Sequence, residues 1–157
     1  MKVKHGYKLF KRDKNGNLHP LYVLSKETIP MNEWVYAHDD APRDENGKVK
    51  GKMRLHYRPG FHIAGSKPEA PQITNQEGCV WCLVEYDATV CYDDEAKRNG
   101  TNKEGRVIAL KAELDKLPKN GYYHFRTSWK QNEPWIICDK IKVIKVLTAD
   151  EVKQLCA

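Results

Sequence analysis

Between Gly51 and His62 the chain places Lys52, Arg54, His56, Arg58 and His62 in a strand-like run broken by a Pro59-Gly60 turn. Basic and imidazole groups presented on a rigid bend are what a site for an anionic ligand requires. With the two lysines just before them, they define a candidate binding set of Lys48, Lys50, Lys52, Arg54, His56 and Arg58. His56 and His62 flank the turn, so their side chains can approach across it. An imidazole beside two arginines prefers to stay neutral, which suits a hydrogen-bond donor or a general base. No nucleophile stands near them in sequence. The plain alternative is that Leu55 and Phe61 supply core contacts while the polar residues face water.

Three other patterns bear on chemistry. Cys79-Val80-Trp81-Cys82 has the spacing of half a zinc site or a redox pair. Val80-Trp81 favours extension, however, and strand positions three apart point to opposite faces. No second ligand pair stands at metal spacing, so the thiols read as buried strand cysteines and no metal is expected. Aromatic and basic residues interleave in Tyr7-Lys8-Leu9-Phe10-Lys11 and in Tyr122-Tyr123-His124-Phe125-Arg126. Such a sheet can hold single-stranded nucleic acid, or simply have one buried and one wet face. Gln131-Asn132-Glu133 has the spacing of the Gln-x-Glu motif of ADP-ribosyltransferases. The order of an early strand cation (Lys8), Gly60-Phe61-His62 and a late acidic loop resembles that fold's three-motif layout. The resemblance implies NAD as cofactor, His62 and Tyr57 near the nicotinamide ribose, and Glu133 as the catalytic acid group. It departs at the first motif, where Lys8 or Lys11 would replace the usual Arg or His.

Composition narrows the classes. The chain has 157 residues, 31% of them charged, and a net charge of +6. That length fits a single globular domain spanning residues 1–157, able to bury a core without staples. The charge is uneven. Residues 1–62 hold 13 Lys and Arg against seven Asp and Glu, whereas residues 63–157 hold 14 of each. A surplus confined to one part of a chain suggests a face for phosphate, nucleic acid or an acidic protein. No apolar run approaches the roughly 18–20 residues of a membrane span, and the N-terminus lacks a signal-peptide apolar stretch. Five cysteines cannot all pair, which points to reduced thiols and a cytoplasmic setting.

The elements that must position these residues are legible as segments. Gly6 to Lys11 and Leu18 to Leu24 read as a hairpin around Asn15-Gly16. Ile29 to Ala37 is a short apolar element, with Trp34 and Ala37 as core anchors. Residues 38–50 lack periodicity and read as a loop. Arg54 to Ala64 reads as two short strands about the turn, and Cys79 to Ala88 as the clearest strand. Tyr92 to Arg98 suits a short acidic helix, and Arg106 to Leu117 has helical spacing stopped by Pro118. Gly121 to Thr127 and Trp135 to Leu147 read as long paired strands. Thr148 and Glu151 form a capping box for a last helix. The sum is an α+β fold: a mixed, mainly antiparallel sheet with a few short helices.

Taken whole, the chain resembles a family of uncharacterised proteins and modules of phages and other bacterial mobile elements. Three blocks carry the likeness: Gly6-Tyr-Lys-Leu-Phe10 with Pro20-Leu-Tyr-Val23; Arg58-Pro-Gly-Phe-His62; and Leu117 to Thr127 with Trp135-Ile-Ile137 and Lys142 to Leu147. Relatives often carry Trp where Phe61 stands, and Glu133 lies outside the shared pattern. The resemblance brings no established activity. Read with the uneven charge, it suggests a non-enzymatic accessory protein that binds or inhibits a host or defence-system protein or nucleoprotein through its basic N-terminal face. An NAD-using transferase and a nucleic-acid-binding module are the alternatives. No membrane partner is expected.

Overall fold

The computed structural model describes residues 1–21, 27–38, 45, 59–69, 78–99, 114, 116–125 and 133–157. The first strand, β1 (Val3–Arg12), turns back at Asp13 to Asn17 into β2 (Leu18–His19), with Lys11 opposite His19. Gly16 takes φ 85° in that turn, and Asp13 Oδ1 accepts from the amides of Asn15 and Asn17, both at 2.9 Å. The Asn-Gly hairpin is thus present. Its second strand is shorter than the expected Leu18 to Leu24: it ends at His19, where Pro20 has no amide to give to the ladder, and Leu21 is already a bend; residues 22–24 lie outside the described residues.

Next come β3 (Trp34–Tyr36), β4 (Phe61–Ile63), β5 (Cys79–Asp87) and β6 (Val90–Cys91). Helix α1 (Asp93–Asn99) precedes β7 (Gly121–Phe125), β8 (Trp135–Cys138), β9 (Lys140–Val146) and helix α2 (Ala149–Leu155). One sheet has the order β2-β1-β5-β9-β3 and the other β4-β8-β7-β6. All pairs are antiparallel except β6 with β7. This is the expected α+β class, with mostly antiparallel sheets and two short helices among the described residues. Thr148 caps α2 as its sequence requires: its Oγ accepts from the Glu151 amide at 3.1 Å, and Glu151 returns the bond to the Thr148 amide.

The expected long strand from Trp135 to Leu147 is instead two strands in different sheets. The chain leaves the β7 partner at Cys138, bends at Asp139, pairs with β3 at Lys140 and joins β5 from Ile141 onward. A second link ties the sheets: Tyr7 of β1 and Ala64 exchange both backbone bonds at 2.7 Å. Joined through β1 and again through the Asp139 corner, the strands curl around one core. Phe10, Cys82, Val84, Ile141 and Val143 of one sheet meet Ile63, Ile136 and Cys138 of the other there. The opposite side buries Leu9, Trp81, Tyr123, Phe125, Trp135 and Ile137 with Ala96 of α1 and Leu114. Of the expected helix at 106–117, residues 106–113 lie outside the described residues, and Leu114 and Leu117 at its end are not helical.

Gly121 is required by proximity. A Cβ there would stand 2.0 Å from the Val90 carbonyl oxygen, in the parallel β6–β7 pair. Backbone cannot yield as a flexible side chain does. Gly121→Ala should therefore cost about 2–3 kcal/mol or more in urea unfolding. Gly16→Ala, with positive φ but nothing within 4 Å, should cost only about 1 kcal/mol.

Candidate functional site

The binding set Lys48, Lys50, Lys52, Arg54, His56 and Arg58 lies outside the described residues, but both roots of that run are described. Before it, the Ala37 amide donates to the Asp139 carbonyl at 2.7 Å. After it, Pro59 is fully buried and Gly60 takes φ 132°. A Cβ on Gly60 would stand 2.5 Å from Ile137 Cγ2 and 3.0 Å from the Cys138 carbonyl oxygen. Phe61 then pairs with Cys138. The chain therefore departs at Asp139 and returns at Cys138, two adjacent residues of the corner where one strand changes sheets.

That corner is polar and dry. Asp87, Asp139 and Lys140 are the described charged residues buried there, at 1%, 7% and 5% exposure. Lys140 Nζ lies 3.3 Å from Asp87 Oδ2 and donates to Asn120 Oδ1 at 3.0 Å. The Asn120 amide, in a residue with φ 55°, donates to Asp139 Oδ2 at 2.8 Å. Burial by itself would raise the Asp87 carboxyl, yet its bonds from Thr89 and Lys140 hold it below the ordinary range. Asp139 goes the other way: burial raises it, and its Oδ1 has no hydrogen-bond partner among the described residues.

The three positions of the transferase-like layout fall on two sides of the sheet. Lys8 projects toward the inner core, its Nζ 5.7 Å from the Phe10 ring centre and 5.8 Å from that of Phe61. It donates to the His62 carbonyl at 2.8 Å, and burial lowers its ammonium to about 8. His62 alternates with Phe61 and Ile63, so its ring points outward and meets the Trp135 ring edge-on at 6.3 Å. Glu133 follows the extended β4–β8 register, opposite Ser66, whose hydroxyl lies 2.5 Å from both carboxylate oxygens. The structure thus puts His62 and Glu133 on one side, with Trp135 between, and Lys8 on the other.

Alternation also separates the thiols. Cys82 lies in the inner core and Cys79 packs against the outer one, as strand geometry requires. Burial raises both, Cys82 to about 12. Among the described residues no three His, Cys, Asp or Glu side chains gather as a metal site, and no helix is long and apolar enough to cross a membrane. The interleaved aromatics are mostly structural: Phe10, Tyr123 and Phe125 are buried and Tyr7 packs against the outer core. Two histidines outside the candidate sets make structural contacts. His19 bridges Asp13 Oδ2 at 2.8 Å and the Glu27 carbonyl at 2.7 Å, clamping the hairpin, and the Asp13 bond raises its imidazole. His124 reaches Asp93 at the start of α1 at 2.9 Å. Trp34 is not the inner-core anchor expected of it. Val35 packs inward, while Trp34 and Tyr36 face outward on the edge strand β3. Comparison with protein-family models, curated proteins and solved structures finds no match.

Asp139 gives a pH signature. Its folded carboxyl titrates above the unfolded value, so between the two the native state holds more protons and stability falls as pH rises. Asp139→Asn removes that penalty and can still accept from the Asn120 amide. Its stability relative to wild type should improve from acid toward neutral pH in urea titrations. A trend in the opposite direction would mean that the carboxylate is well solvated or paired.

Proposed function

We propose that this is a binding protein rather than a catalyst, an accessory of the phage or mobile-element kind. It engages an acidic host or defence-system component through the basic run from Lys48 to Arg58. The observation that carries the reading is the double root at Cys138 and Asp139. Residues 46–58 contain five Lys or Arg and no Asp or Glu. Five cations without an acidic residue concentrate positive charge in this short run of sequence, and a focused positive field steers an acidic partner.

Charge location can be separated from net charge. Lys50→Glu, Lys52→Glu and Arg54→Glu together should elute from heparin at much lower salt than an equal reversal at Lys97, Lys103 and Lys111. The same triple should lose capture of the acidic partner from a bacterial lysate. Equal elution of the two triples would remove the basic run as the site.

The transferase reading keeps one observation in its favour, the common side of His62, Trp135 and Glu133. Against it stand the inner position of Lys8 and the Ser66 contact on Glu133. If NAD were the ligand, it would raise the melting temperature by linkage, and Glu133→Gln would abolish turnover while leaving the fold intact. We expect no NAD-dependent shift; a saturable one would overturn the non-enzymatic reading.

A further inference from the structure

We propose that the outward strip of Trp34 and Tyr36 on β3 is a stacking platform for single-stranded nucleic acid. This rests on the binding reading above and names its partner class. Trp34 stands opposite Lys142 and Tyr36 opposite Lys140 in the β3–β9 register. The Lys142 Nζ lies 4.9 Å from the Trp34 ring centre, and the Lys140 Nζ 5.2 Å from that of Tyr36. Each ring is thus backed by an ammonium group, a contact that fixes its orientation through the ring quadrupole. Lys140 is buried while Tyr36 is 61% exposed. One face of Tyr36 therefore covers the lysine and the other is open to solvent.

The charge pattern argues for a π-faced ligand. Asp87 neutralises Lys140, and Glu85 stands opposite Lys142 on the next strand. An acidic protein would need free ammonium groups; here each ammonium lies over a ring, and that of Lys140 is also paired with Asp87. What the strip presents is aromatic surface, on two rings two strand residues apart, roughly 7 Å. Every base has a face that can stack on such rings, whatever the sequence, as on other sheets that bind single strands. The phosphate charge of that ligand is matched by the cation surplus of residues 1–62. Among the described residues β3 is also an edge strand, with no strand paired on its other side.

The test uses the full chain and fluorescence anisotropy of a short labelled single-stranded DNA, the same sequence as RNA, and the duplex. Tyr36→Ala, compared with wild type below its own melting temperature because the ring also covers Lys140, should weaken single-strand binding about tenfold. Trp34→Ala with Tyr36→Ala should weaken it further, and Tyr36→Phe should restore it, because stacking needs the ring and not the hydroxyl. The salt dependence should stay as in wild type, since no phosphate contact is lost. Unchanged affinity in Tyr36→Ala, or equal binding of duplex and single strand, would overturn the platform. No oligonucleotide binding at all, alongside heparin retention that maps to Lys50, Lys52 and Arg54, would sink this inference and leave the binding reading standing. Oligonucleotide binding lost in Tyr36→Ala but untouched by the triple reversal would keep the platform and retire the basic run.

Discussion

The ammonium of Lys140 is almost wholly removed from water, and the surrounding architecture is arranged to answer that charge. Asp87 from β5 supplies the counter-charge, Asn120 from the turn before β7 supplies an acceptor, and Tyr36 from β3 supplies a ring. Three segments from both sheets converge on one atom. Losing a partner from a buried pair typically costs about 3–5 kcal/mol, so the convergence holds the strands as firmly as they hold it. Asp139, one residue earlier, extends the network to the Asn120 amide and accepts Ala37 on its carbonyl. The corner at which one strand changes sheets is thereby pinned from several directions.

Curling around that corner gives every strand an inner and an outer side, and this decides which residues can act together. Lys8, Cys82 and Cys138 fall inside, where burial disfavours their charged forms. His62, Glu133, Trp34 and Tyr36 fall outside. A catalytic set drawn from both sides would have to reach through the sheet, and Lys8 donates to the backbone carbonyl of His62. Binding through an outer face needs no such reach.

What was legible in the chain was local. The Asn15-Gly16 hairpin, the β5 strand and the Thr148–Glu151 box each depend on residues a few positions apart, and each is present. The opposite facing of Cys79 and Cys82 followed from a two-residue period alone. The break at Asp139 was not legible, because Trp135 to Leu147 is rich in β-branched residues and reads as one strand. Only Asn120, Ala37 and Asp87, remote in sequence, reveal why it bends. Trp34 was misplaced for a similar reason: a Trp next to a Val looks like core, and the lysine that backs it lies over a hundred residues away. The cation run at Lys48 to Arg58 was visible as composition, but its anchoring at a sheet corner was not.

By itself the sequence determined the class of local elements, the alternation along each strand and the concentration of positive charge before His62. Tertiary structure alone decided which side of each strand is inside, which lysine is buried and which aromatic is displayed. Periodicity states that neighbouring side chains face opposite ways but not which way is inward. That choice is made by the curl of the sheets, through contacts such as Tyr7 with Ala64 and Lys140 with Asp87, whose partners lie more than fifty residues apart along the chain.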